Sequence, residues 1–256
     1  MADDGWTSVP RGKKSRKPQP LTGAPAPSRN LTVEDITRDF DAKTKQWRLT
    51  ACRKQLIKQV DWAVGAREDA LTIERYVCIG SGSLSRDNVE CRRRSMWQIV
   101  VFLDLATYLV DRNRLSHSQR SGSDEDGAGA SHCIWASDPA YTELDTAFLL
   151  TKGVEVVPIG RTDMGFGGMR QHLREGTLLY EPFVDMNAHM VKDMVDAEVA
   201  LYIGSSIGGL KERQSDVGEL AKTFCIGKSV RTFPSFDVDP NIFDGMTIYW
   251  KEESHD

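Results

Sequence analysis

Tyr76-Val77-Cys78-Ile79 runs directly into Gly80-Ser81-Gly82-Ser83, and an apolar pattern of helical spacing follows from Val89 to Val110. Residue types in that order can bind an anion or a nucleotide. The glycines let backbone approach a ligand closely, and a helix start presents unpaired N–H groups. A second short run, Cys133-Ile134-Trp135-Ala136, leads to Asp138, and an acid after a second strand is where many α/β folds hold a ribose. The run Ala200-Leu201-Tyr202-Ile203 closes on Gly204-Ser205 in the same way. The candidate ligand-binding residues are therefore Gly80, Ser81, Gly82, Ser83, Asp138, Thr142, Gly204 and Ser205, with S-adenosylmethionine or a nucleotide as the cofactor. The pattern is not a full dinucleotide fingerprint. Ser85 stands where the third glycine would be, and Asp138 lies well beyond the usual spacing of roughly twenty residues. The competing expectation is that the glycines only make a tight turn and Asp138 caps the next helix.

Other chemistry is weaker. Gly204-Ser205-Ser206-Ile207-Gly208 matches GxSxG, and Asp237, Asp239 or Asp244 followed by His255 would give a Ser–Asp–His order. No HGGG-type loop accompanies it, and His255 is the penultimate residue, so a serine hydrolase is a minor alternative. His189 and Asp193 share a helix face at i, i+4, but no third metal ligand is suitably spaced, and no metal is expected. Arg92, Arg93 and Arg94 follow the glycine turn; most of such a run faces solvent. Cys52, Cys78, Cys91, Cys133 and Cys225 form no CxxC pair and read as small thiols in a reducing compartment.

These residues need elements to hold them. Strand-like runs alternate with helical ones from Glu74 to Trp250, which predicts a Rossmann-like three-layer α/β domain with a mostly parallel sheet over 74–251. The strands expected are 76–79, 133–136, 154–157, 178–180, 200–203, 230–233 and 247–250, with helices at 141–151 and 186–195. Crossovers of one hand would place the Gly80, Asp138 and Gly204 turns on one edge of the sheet. Thr32-Val33-Glu34-Asp35 has the form of a capping box, so a helical flanking segment fills 32–73, as one helix or two, lying outside the core. Residues 1–31 are rich in Pro, Gly, Ser and basic residues and read as a disordered tail; Arg11–Lys17 would be a solvated cluster or an import signal. Residues 116–131 are a Ser/Gly/acid tract expected to be a surface insertion.

The 256 residues carry a formal charge of −4, which gives no case for direct nucleic-acid binding. The start is polar, and the longest apolar run, Ile99 to Leu103, ends at Asp104, so neither a signal peptide nor a membrane span is expected.

In order, these segments resemble the sensitivity-to-red-light-reduced domain family. The matching residues are Cys78–Ser83 with Gln98, then Asp138-Pro139-Ala140-Tyr141-Thr142-Glu143, Gly153–Val157, Thr177–Pro182 and Ile203–Ser206. Gly5-Trp6-Thr7-Ser8-Val9 resembles a short motif at the start of many members. The resemblance implies an α/β regulatory protein of light and circadian signalling, or of haem- or cytoskeleton-linked regulation. It implies protein partners, a small-molecule ligand, no membrane, and a cytoplasmic and nuclear location. Where many members carry Pro-His-Cys, this chain has Pro182-Phe183-Val184, and no catalytic mechanism carries over. The alternative is a methyltransferase-like enzyme using Gly80–Ser83 and Asp138 for its cofactor.

Overall fold

Thr32 accepts from the Asp35 amide while the Asp35 carboxylate accepts from Thr32, so α1 starts cleanly at Val33 and runs over Val33–Leu49. Thr50 is extended, which breaks the helical segment in two, and α2 follows over Ala51–Gly65. The computed structural model describes residues 28, 30–65, 72–121, 133–160 and 163–252. The Trp6 motif, Arg11–Lys17, His132, His255 and residues 122–131 of the expected insertion lie outside them.

The other elements are β1 (Arg75–Ile79), α3 (Val89–Ser121), β2 (Cys133–Ser137), α4 (Glu143–Thr151), β3 (Glu155–Val156), β4 (Thr177–Glu181), α5 (Ala188–Asp196), β5 (Leu201–Ser205), α6 (Asp216–Cys225), β6 (Lys228–Thr232) and β7 (Met246–Lys251). Among the described residues seven strands form one sheet in the order β3-β2-β1-β4-β5-β7-β6. The first five are parallel, whereas β7 runs antiparallel to both β5 and β6. The mostly parallel α/β sheet expected from the alternating runs is thus present. Three expectations needed correction. The helix after β1 continues through Ser121, six residues into the tract expected to be insertion. β3 shrinks to two residues, and α6 was not foreseen.

Side chains alternate across the strands, so each face has its own apolar layer. Cys78, Leu178, Tyr180 and Ile203 face α1 to α4 together with Trp97, Phe102 and Phe148, while Val77, Leu179 and Tyr202 face α5 and α6 with Met194 and Phe224. The N-terminal helices share the first layer: Trp47, Leu56 and Val60 are fully buried, and Trp47 packs edge-on to Phe236 at 5.7 Å between ring centres. Ordered chain is present before the capping box, because the Ser28 amide donates to the Ser85 carbonyl at 2.7 Å.

Asp104 ties this layer together. It sits in the middle of α3 with its side chain 4% exposed, accepting from Trp47 Nε1 at 3.0 Å and from Arg53 Nε at 2.7 Å and its terminal nitrogen at 3.3 Å. A buried carboxylate is tolerated only when paired in this way.

Candidate functional site

After β1 the chain turns one way to β2 and β3, then returns to β4 and β5 on the other side, so the order reverses between β1 and β4. In open α/β sheets ligands bind at such a switch point, beyond the carboxyl ends of the strands. The parallel register sets Gly80, Asp138 and Pro182 just beyond that same edge and the Gly204-Ser205 end of β5 at it, as the sequence predicted for the Gly80, Asp138 and Gly204 turns.

Gly80 and Gly82 have φ of 79° and 74°, in the left-handed region that favours glycine. Their missing side chains make room for the protein itself. A β-carbon on Gly80 would overlap Cγ2 of Val184, and one on Gly82 would overlap Oγ of Ser95. Gly204 is equally tight, against the Glu181 carbonyl and the Tyr202 hydroxyl.

The Asp138 carboxylate joins two loops. Its Oδ2 accepts from the Gly82 amide and its Oδ1 from the Ala140 amide, each at 2.7 Å. Burial pushes its pKa up, opposed by those two amides and by the Arg86 charge. The expected capping role belongs elsewhere. Thr142 is the N-cap of α4, accepting from the Asp145 amide at 3.2 Å in a second capping box. Asp145 also accepts from Ser83 Oγ at 2.7 Å and the Leu84 amide at 3.0 Å, and Thr142 Oγ1 meets Ser85 Oγ at 2.7 Å. Pro139 explains the shift, because its ring keeps Asp138 extended and delays the helix. An asparagine at 138 keeps one acceptor oxygen and turns the other into a donor facing a donor. Asp138→Asn should therefore lose roughly 1–3 kcal/mol in urea unfolding, against a loss near zero if 138 were a simple cap.

Like Asp145, Glu181, which the sequence reading passed over, has no exposed surface. Its carboxylate accepts from Tyr202 Oη at 2.8 Å, the Ser205 amide at 3.2 Å, Ser205 Oγ at 3.5 Å and the Val184 amide. Burial raises its pKa to about 7 despite those four donors. On the opposite face Ser81 Oγ meets Tyr141 Oη at 2.6 Å, and burial holds the Tyr141 phenol and the Cys78 thiol well above their ordinary values. Ser137 Oγ and Tyr180 Oη are buried with no hydrogen-bond partner. The signal in the sequence was an acid flush with the end of an apolar strand, beside a proline.

The structure thus brings Gly80 to Ser83, Asp138 and Thr142 into one hydrogen-bonded unit, while Gly204 and Ser205 join Glu181 on β4. The weaker sequence candidates disperse. Ser206 is exposed and bonds to none of the three aspartates; Asp239 pairs with Arg93, and Asp237 and Asp244 are exposed. Arg93 and Arg94 both pair with Glu90, and Arg92 donates to the Arg86 carbonyl. Asp193 holds the loop before β4, accepting from the Phe166 amide at 3.0 Å and pairing with Arg170 at 3.1 Å, while His189 is exposed. Among the described residues no His/Cys/Asp/Glu group could hold a metal, and no helix is long and apolar enough to cross a membrane. Cys52, Cys78, Cys91 and Cys225 are free thiols.

The family model of the SRR1 domain matches residues 52–250, from the start of α2 to the end of β7. No curated protein and no solved structure matches the chain.

Proposed function

Because the chain belongs to the SRR1 domain family, we propose that it is a regulatory protein, working through protein partners and a small molecule at the switch point rather than by catalysis. One observation carries the reading. Asp138, Asp145 and Glu181, the buried carboxylates of the carboxyl edge, are each enclosed by the chain's own donors, which argues against their moving a proton on a substrate. A general acid or base needs hydrogen-bond reach to a reacting group. The reading includes action in light, circadian, haem- or cytoskeleton-linked signalling, in cytoplasm and nucleus, without membrane or direct nucleic-acid contact. The net charge of −4 agrees with the last point.

A second reading has its own support. The order β3-β2-β1-β4-β5-β7-β6 sets the glycine turn after β1 and the acid after β2 side by side at the switch point, the frame an S-adenosylmethionine-dependent methyltransferase would use for its cofactor. Shared topology argues for a shared frame, while function lies in the site, and here the acid after β2 is bound to two amides. Native mass spectrometry of the protein purified from its own cells separates the two. A stoichiometric protein partner, with no methyl transfer from labelled S-adenosylmethionine, is expected. A bound S-adenosyl compound together with labelled product would overturn the regulatory reading.

A further inference from the structure

We propose that β6 is a docking edge for an extended peptide of a partner protein, which adds a strand to the sheet, sets an acidic side chain against Lys228 and lays an apolar one on Val230. The inference rests on the reading above that the chain works through protein partners, and it names the partner's chemistry. The sheet ends at β3 on one side and at β6 on the other. β3 has two residues, too few to template a strand, whereas β6 has five in unbroken register with β7. The Phe233 amide donates to the Met246 carbonyl and the Glu252 amide to the Gly227 carbonyl, which fixes the alternation of the antiparallel ladder between them. Ser229 and Arg231 therefore turn their backbone groups to β7, and Lys228, Val230 and Thr232 turn theirs outward. Among the described residues no group pairs with those outward amides and carbonyls.

Edge strands are ordinarily guarded by charges that reach into water, by bulges or by prolines. β6 carries two cations, and both are folded back onto aromatic rings. Arg231 lies over Trp62 of α2 at 4.3 Å, and on the other face Lys228 lies over Phe224 of α6 at 4.7 Å. Val230 is left 52% exposed at the centre of the strand, and Ile226, just ahead of β6, is exposed as well. The edge is open, flat and partly apolar, which is the surface that strand addition uses.

Lys228 sets what the partner brings. With Val195, Thr223 and Phe224 it lines a cavity of about 220 Å³ between the ends of α5 and α6. The acids of that cavity are already engaged: Glu198 pairs with Lys251 at 3.2 Å, and Glu252 accepts from Ser229 Oγ. Lys228 is half-buried and makes no ion pair among the described residues. Burial first, and then the like charge of Lys251, lower its pKa, as befits an ammonium short of a counter-ion. A carboxylate on the added strand supplies one. The neighbours of Lys228 and Val230 on that strand share a face and stand two residues apart, so the peptide carries an acid and an apolar residue at i and i+2. A second copy of this chain would not meet the need, because its own β6, Lys228–Thr232, contains no acid.

The test uses the full chain and a blocked, strand-length peptide alternating threonine and valine, with glutamate in place of a central valine. The same peptide with lysine at that position is the counterpart, and binding is read by fluorescence anisotropy. Wild type should bind the glutamate peptide at least about tenfold more tightly, and Lys228→Glu should invert the order. Val230→Pro removes an outward N–H and no bond to β7, so it should fold with a melting temperature near that of wild type and bind neither peptide. No binding of either peptide to wild type overturns the docking edge, and binding by a folded Val230→Pro protein takes it away from β6. Equal affinity for the two peptides, or a glutamate preference kept by Lys228→Glu, overturns the role of Lys228; that inversion decides the matter if Val230→Pro fails to fold. A wild-type dimer in sedimentation that Val230→Pro dissolves would assign the edge to a second copy instead. Methyl transfer from labelled S-adenosylmethionine would sink the regulatory reading and leave the edge standing, whereas failure of the peptides leaves regulation through another surface intact.

Discussion

Asp104→Ala is expected to lower the melting temperature by roughly 10 °C, the largest effect of any single substitution considered. The carboxylate is the common acceptor for Trp47 Nε1 of α1 and the Arg53 guanidinium of α2, in a helix that belongs to the layer below both. Removing one partner of a buried ion pair costs roughly 3–5 kcal/mol, since the other charge and the indole N–H are left unpaired. The Arg53 side chain is 26% exposed and can partly rehydrate, so the lower end applies, about 3 kcal/mol. At 2–4 °C per kcal/mol for a domain of this size, the shift is roughly 10 °C. Asp104→Asn, which keeps an acceptor for Trp47, should lose distinctly less. A fall of under about 2 °C for the alanine variant, by calorimetry, would mean that apolar packing alone seats α1 and α2.

Stability should also fall as pH rises from mild acid to neutrality, and Glu181 should cause most of it. Its folded pKa of about 7 lies above the ordinary 4.5 because burial disfavours the charged form. A raised folded pKa gives stability that is fully present below the unfolded value and lost as pH climbs through the folded one. The window is therefore about 4.5 to 7. The gap of about 2.5 pH units corresponds to about 3 kcal/mol at roughly 1.4 kcal/mol per unit. Asp138, also raised, adds to the slope in the same sense at the acid end. His172 opposes it weakly, since burial lowers its pKa and so favours the fold as pH rises. Asp35, Glu90, Asp196 and Asp239 have depressed values and act only in stronger acid. Urea unfolding at pH 5 and pH 8 should give the higher midpoint at pH 5 for wild type and a nearly flat response for Glu181→Gln. A full pH slope retained by the glutamine variant would assign the effect to other groups.

The contrast between Asp138 and Glu181 shows what a linear sequence can carry. The strands and most helices were legible because alternating apolar runs and the capping box at Thr32 are local signals. α6 escaped because the face it buries is made of Gly218, Ala221 and Phe224, two of them too small to mark a periodic apolar stripe, and Ser215 gives it no side-chain cap. Asp138 was legible as a residue of the right edge but not in its role. Its key donor, Gly82, lies 56 residues away and is a backbone amide, which no side-chain motif records. Glu181 depended on Tyr202 and Ser205, some twenty residues on, lining up beside it when β4 and β5 pair.

The reversed β7 bears on how the chain comes to be made. β5 is complete at Ser205, but the neighbour that covers its open side is Met246–Lys251, more than forty residues later in synthesis. Until that stretch leaves the ribosome, the nascent protein presents the unpaired backbone of β5, an apolar and otherwise buried strand, to whatever it meets. β6 cannot shield it first, because its place in the sheet is on the far side of β7. Chains halted or clipped before residue 246 should accordingly be sticky intermediates that call on chaperones, whereas a stop after Lys251 should release a self-sufficient sheet.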